Sequence, residues 1–533
     1  MYAERILNFG YPKLHDAKNY TWRMISGDVG VWKKYDLYTA NMWGQYYFAV
    51  PSAYLARQTG DLFLKTAIFR IPFALTGMIG VLILPFSILF LFGKERNKKI
   101  VFFASYIFLQ LFSISLILHL REVRSYSLAV LFCSFIMILF TRMYFDNFLS
   151  KGKYILIATI SFILLFNIFP PAYMVMVVAL GSYPIIDFFK SRRQKGLDFK
   201  NVVQPFFRRS LYLLLPILLS LITALPILVI FGVSETSMHA YQDMYYGLPR
   251  YLSQLWRVLS FLTLHNFLIL IMVQKTVLII LFAKVIKKVK IGEEDLSRLT
   301  KKISVSNLFS YTSLVYILLI PLTPYLFDRY FIFLQPFTLL IFLLDFFIVL
   351  EAISNIYVSN EKINYITGYL SLVLFFFVVS IVPKIDSLNG HLYELSHRYT
   401  GPLDEIITYI KANITHPEDL FIETNLEQTS YIYYLDSQVF CDEVTECKKP
   451  LPDIIIPRRY MLGKDFIDRM EKNMQMVHYD KVLLPILDYP SNNIPEFSFS
   501  LRHLYKAPYT NNDSEKVVMF IKFGVLDKNN KSQ

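Results

Sequence analysis

The chain is poor in cysteine, glycine and charge. Three cysteines in 533 residues are too few for a disulfide framework. Cys133 falls in an apolar run and reads as a core thiol. Cys441 and Cys447 share a polar segment, able to pair outside the cytoplasm and otherwise two free thiols. Nineteen glycines exclude a collagen-like or glycine-linker chain. There is no glycine-rich phosphate loop, no metal-ligand spacing, no internal repeat, no low-complexity tract and no signal peptide. Charged residues make up 18%, against about 25% in an ordinary soluble domain.

What the chain does have is apolar and aromatic surface: 55% hydrophobic residues, 17% aromatics, 47 Phe and 37 Tyr. A disordered chain and a simple soluble globule are both excluded. The net charge of +13 suggests a nucleic-acid partner only at first sight. Basic residues also collect in cytoplasmic loops of membrane proteins, and that is the reading adopted, with no nucleic-acid partner.

A membrane helix needs about 20 mainly apolar residues. About ten such runs occur, at 71–92, 101–118, 125–145, 153–169, 172–189, 210–232, 259–283, 304–322, 330–350 and 365–383. The expected fold class is a polytopic α-helical membrane protein with a C-terminal soluble α/β domain. Three parts follow: 1–65, an extracytoplasmic loop segment; 66–383, the transmembrane domain; 384–533, an extracytoplasmic α/β domain. In the last part, Pro402 opens a helix carrying Leu403, Ile406, Ile407 and Ile410 on one face. Strands are expected at 420–422, 453–456, 481–487 and 517–523, and a helix at 466–474.

Lys and Arg cluster in alternate loops, around Lys94–Lys99, Lys151, Lys190–Arg209, Lys284–Lys302 and Lys362, which sets those loops in the cytoplasm. The opposite loops carry Arg121, Arg124, Arg250, Arg257 and Arg329. Both ends of the chain then lie outside, in an integral multi-pass protein of the cell envelope. A 65-residue outer segment without a preceding helix has no evident way across: either the spans are miscounted or, the reading preferred, a further membrane helix lies upstream of Met1.

The strongest local signal is His119-Leu120-Arg121-Glu122-Val123-Arg124-Ser125-Tyr126, at the junction of two spans. Charge beside a bilayer faces a cavity, a partner or water. Two arginine forks are suited to a phosphate. Glu122 can take a proton, hold a metal or orient an arginine. The same residues also suit a solvated turn in which an Arg–Glu pair fixes the hairpin. Asp328-Arg329-Tyr330, followed by Pro336, is a second such turn, or an interfacial anchor. The segment 233–258 and the aromatic-rich first segment suit either sugar stacking or an interfacial belt.

These motifs resemble those of the GT-C glycosyltransferases, which use lipid-phosphate sugar donors, most nearly the family 39-like and ArnT/RgtA-like transferases. The turn at 119–126 is similar to the family's S/H-R-E-x-R-x-Y turn, Phe69-Arg70-Ile71-Pro72 to an early R-x-P entry, and Arg329-Tyr330 with Pro336 to a late R-Y…P turn. Tyr2–Leu7 with Gly10 resembles the stretch after the first-loop acid. The resemblance covers roughly residues 1–350. It implies transfer of a sugar from a polyprenyl-phosphate donor to an acceptor hydroxyl on a lipid, glycan or protein, at the outer face and with inversion. Arg121, Arg124 and Arg329 would hold the donor phosphate. His119, Tyr126 and Tyr330 would contact substrate, and Glu122 is the acid placed by motif as the catalytic carboxylate.

The family's first-loop Asp would fall before Tyr2, so the catalytic base is expected upstream of Met1 unless Glu122, Asp16, Asp28 or Asp36 serves. A Glu-Lys-Pro stretch of the family is replaced here by Asn41-Met42-Trp43-Gly44-Gln45. No cofactor is fixed, and a divalent metal (Mg or Mn) stays open. A transporter or flippase, or an inactive glycan-binding membrane protein, is the alternative. A transporter would carry ionisable residues deep inside its helices, whereas the charges in this sequence gather at one face.

Overall fold

The computed structural model describes residues 1–16, 18–19, 31–32, 36–39, 41–195, 199–230, 247–288, 293–323, 326, 328–356, 361–381, 385, 401–439, 451–459, 462–488 and 509–526. The helices are α1 (Tyr2–Phe9), α2 (Gly44–Ala56), α3 (Leu62–Ile83), α4 (Arg96–Gln110), α5 (Ile114–Leu120), α6 (Ser125–Asp146), α7 (Lys151–Ile168), α8 (Pro170–Lys195) and α9 (Phe199–Ile230). They continue with α10 (Gly247–His265), α11 (Leu268–Lys288), α12 (Glu293–Leu319), α13 (Leu334–Ile356), α14 (Glu361–Ile381), α15 (Pro402–Asn413), α16 (Gln428–Leu435) and α17 (Lys464–Met476). The chain divides into two compact units: 1–41, 46–66 and 386–533 form one, and 42–45 and 67–385 the other.

The second unit is helical. Seven helices among the described residues are long and apolar enough to cross a membrane: Leu62–Phe92, Ser125–Asp146, Lys151–Ile168, Pro170–Phe189, Ser210–Val229, Leu296–Leu322 and Leu334–Ser354. The chain is a helical membrane protein with several spans. Three expected spans differ. The run 101–118 is divided into α4 and α5. Between them Leu111, Phe112 and Ser113 turn inward to the carbonyls of Phe108, Leu109 and Gln110, bonds that tighten and end a helix. The run 259–283 is divided into α10 and α11, bent by 83°. Phe267 takes a left-handed φ of 57° at the break, and Asn266 there donates to Thr338 at 3.1 Å. In α14 the apolar stretch is the shorter Tyr365–Val379.

Small residues allow a close helix contact. A Cβ on Gly80 would lie 2.6 Å from the Leu131 backbone, and one on Gly77 would lie 2.5 Å from Leu120 Cδ2. Both glycines sit on α3, three apart and so on one face. They let α3 rest against α6 and the end of α5, directly below the turn that carries Arg121 and Glu122.

The first unit holds two sheets. β1 (Val31–Trp32) and β2 (Leu37–Tyr38) pair antiparallel. The larger sheet has four strands, β3 (Ile422–Thr424), β4 (Ile454–Ile456), β5 (Tyr479–Leu487) and β6 (Lys516–Lys522), in the order β3-β4-β6-β5. β3 and β4 run parallel and the other pairs antiparallel. Ile406, Ile407 and Ile410 of α15 pack with Ile422, Ile454, Ile456, Val517, Met519 and Ile521 in its core. The alternation in β6, buried at every second residue, is what a sheet with one covered face requires.

Residues of the first segment belong to this unit. Arg5 is buried and donates to Lys13 O at 2.9 Å and to Asp16 Oδ2 at 2.6 Å, which orders the loop after α1. Asn19 then donates to Ser437 O at 3.0 Å and accepts from Val439 N at 2.7 Å. The polar pairing of these two distant segments is satisfied at both ends, as buried amides require.

Candidate functional site

The turn between α5 and α6 is built by its own backbone. Glu122 N donates to His119 O at 3.2 Å and Arg124 N to Glu122 O at 2.8 Å. Arg124 is extended at the N-terminal boundary of α6, and Ser127 Oγ donates to Leu120 O at 2.8 Å. The turn therefore sets Glu122 and Arg124, both half-buried, at the junction of α5 and α6, with His119 buried beside them.

His119 is buried. Its Nδ1 lies 2.8 Å from Glu122 Oε1, and Arg124 Nε lies 3.8 Å from Glu122 Oε2. Burial works against the Glu122 carboxylate, but His119 first, then Arg124 and Arg329, hold it below its usual range. An ionised carboxylate can only accept, so Nδ1 is the donor and carries the ring proton. In that tautomer the neutral form of the ring carries its acceptor lone pair at Nε2. That nitrogen is buried and has no hydrogen-bond partner among the described residues.

Arg329 comes from the turn between α12 and α13. It is buried, with its guanidinium 5.8 Å from the Tyr126 ring centroid. Tyr126, Tyr330, Phe169 and Phe333 form an aromatic wall: Tyr126 is 6.2 Å from Tyr330 and 5.8 Å from Phe169, and Phe169 is 5.1 Å from Phe333. Tyr316 Oη donates to Tyr330 O at 2.6 Å and fixes the turn. Arg257 of α10 donates to Leu326 O at 3.0 Å, while Phe261 meets Phe331 at 4.9 Å.

Six of the seven residues singled out from the sequence thus meet in one place: His119, Glu122, Arg124, Tyr126, Arg329 and Tyr330. Arg121 ends α5 and reaches the group through the backbone. The side chain of Asp328 lies outside the described residues, as do Asp28, Cys441 and Cys447. Asp16 is bonded to Arg5, and Asp36 to His15 at 2.8 Å. No three His, Cys, Asp or Glu side chains converge on a metal position among the described residues, and a divalent ion is given no protein ligand set here.

The expectation that charge gathers at one face needs correction. Lys275 lies about two turns into α11 and Asp345 about three turns into α13, inside the apolar stretch Leu334–Ser354. Lys275 Nζ is 3.0 Å from Asp345 Oδ2, and Ser306 Oγ of α12 donates to Oδ1 at 2.6 Å. Next to Lys275, Gln274 donates to Tyr369 Oη of α14 at 3.1 Å. The signal was a lone Lys and a lone Asp in two long apolar runs, which together form a pair.

No family model, no curated protein and no solved structure matches the chain.

Proposed function

We propose that the chain transfers a sugar from a polyprenyl-phosphate donor to an acceptor hydroxyl at the outer membrane face, as a GT-C-like glycosyltransferase. The observation that carries this reading is the Glu122–His119 pair with a buried, unpartnered Nε2, set beside the Arg124 and Arg329 guanidinium groups and an aromatic wall. In the transfer, the acceptor oxygen attacks the anomeric carbon and the bond from that carbon to the phosphate oxygen breaks. The electron pair leaves on the phosphate, so positive charge must already stand beside it. Arg124 and Arg329 supply it. The acceptor proton passes to His119 Nε2, a general base held in the right tautomer by Glu122. Glu122 itself, held below the usual carboxylate range, orients the base and the arginines. A single displacement inverts the anomeric centre.

In the aromatic wall Tyr126 and Phe169 are buried, and the half-buried Tyr330 is the ring offered to the sugar. The first test is binding of undecaprenyl phosphate, with undecaprenol as control, to the purified protein in detergent. The reading expects the phosphate to bind and Arg124→Gln with Arg329→Gln to abolish binding. Equal binding of the alcohol would contradict it.

The Lys275–Asp345 pair favours a second reading, a transporter or flippase with an intramembrane ionic centre. Flux of a lipid-linked sugar across liposomes, lost in Asp345→Asn and unchanged in His119→Gln, would select it.

A further inference from the structure

The first unit holds a cavity of about 420 Å³ between the first segment and α16, within the range of small-ligand sites, about 300–1,000 Å³. Its charged side chains form three ion pairs and leave one cation over. Arg5 pairs with Asp16 at 2.6 Å, Lys18 with Asp436 at 3.7 Å, and Arg57 with Glu4. Arg57 also donates to Asn8 Oδ1 at 2.7 Å, so its planar fork is held in place. Lys65 is the remaining cation. It forms no ion pair among the described residues, and its ammonium stands 5.8 Å from the Tyr433 ring centroid.

Burial first and Lys65 second lower the pKa of the Lys411 ammonium. An ammonium held near another cation, over an aromatic ring, is a position that gains from an incoming anion. The ring supplies a flat apolar face, and Glu4, Asn8 and Asp16 supply acceptors around it.

We propose that this cavity binds an anionic sugar unit, a uronate or a sugar phosphate, with the anion on Lys65 and the sugar ring against Tyr433. The inference does not rest on the reading of the His119 turn. The pre-formed ion pairs fit this ligand: they keep Glu4 and Asp16 from repelling the anion and leave Lys65 to receive it.

The test is saturation-transfer NMR on the full chain in detergent, with glucuronate and glucose 6-phosphate as probes and glucose as the neutral control. The proposal expects transfer to the ring protons of one or both anionic probes, with glucose silent. Lys65→Glu should abolish the signal, and Tyr433→Ala should weaken it. Lys65→Gln retains the side-chain stem and should lower affinity about tenfold at an unchanged melting temperature, which separates binding from folding. Response to one probe alone assigns carboxylate or phosphate. Silence from both anionic probes, glucose binding equally well, a signal that survives Lys65→Glu, or inorganic phosphate competing as well as the sugars would each overturn the proposal.

Discussion

Lys275 Nζ and Asp345 Oδ2 stand 3.0 Å apart in the helical unit, each from a different helix, with Ser306 of a third donating to the same carboxylate at 2.6 Å. An isolated charge in an apolar interior is very costly, and a pair is tolerated when its remaining valences are filled. Removing one partner is therefore worse than removing both. Asp345→Ala should destabilise the protein by about 3–5 kcal/mol, whereas Lys275→Met with Asp345→Leu should recover most of that. Melting of the purified variants in detergent measures both. A double variant no better than the single one would show that the pair does not act as a unit.

The His119–Glu122 contact predicts a pH dependence of stability. The Glu122 carboxyl is held below its ordinary value in the folded chain, and an unfolded Glu titrates at about 4.3. Its contribution is therefore fully present above that unfolded value and lost as pH falls through the lower folded one. The melting difference between wild type and Glu122→Gln should shrink as pH falls below about 4. A difference that grows on acidification would reverse the sign.

If His119 Nε2 is the base, its tautomer matters as much as its presence. Glu122→Gln presents an amide that can donate as well as accept, so the ring proton is no longer fixed on Nδ1. Turnover should fall by about 10²–10⁴ in His119→Gln and by a comparable factor in Glu122→Gln, with binding of polyprenyl phosphate retained. Arg329→Lys, which keeps the charge but loses the planar fork beside Tyr126, should weaken that binding instead. Measuring binding and turnover on the same preparations separates the two roles.

Gly80 is a packing requirement. A methyl group there meets the Leu131 backbone at 2.6 Å, which cannot move aside without shifting α6. Gly80→Ala should cost about 1–3 kcal/mol. Gly77→Ala meets the flexible end of Leu120 first and should cost less. Melting of both variants checks the order.

Much of the helical unit could be read from length and apolarity. The runs at 125–145, 153–169 and 330–350 lie within the helices Ser125–Asp146, Lys151–Ile168 and Leu334–Ile356 or within a few residues of them. In the first unit, the proline that opens α15 and the Ile454–Ile456 run gave their elements. Three features were not legible. The break at Leu111–Ser113 lies in an unbroken apolar run, where hydropathy carries no signal. Lys275 and Asp345 are visible in the sequence, but their 70-residue separation hides the pairing. α16, Gln428–Leu435, is too short for helical periodicity to stand out. At the candidate site, the residue types and the turn could be read, while the orientation of His119 by Glu122 needed coordinates. Spacing cannot say which ring nitrogen faces the carboxylate.

The most direct measurement supplies the purified protein with a panel of polyprenyl-phosphate sugars, hexoses and pentoses, and measures release of free polyprenyl phosphate over time. The account predicts release from at least one donor, accelerated by an acceptor hydroxyl and reduced by about 10² or more in His119→Gln and in Arg124→Gln with Arg329→Gln. Release that persists unchanged in those variants, or no release from any donor by a protein that binds the polyprenyl phosphate, would contradict glycosyl transfer at this turn.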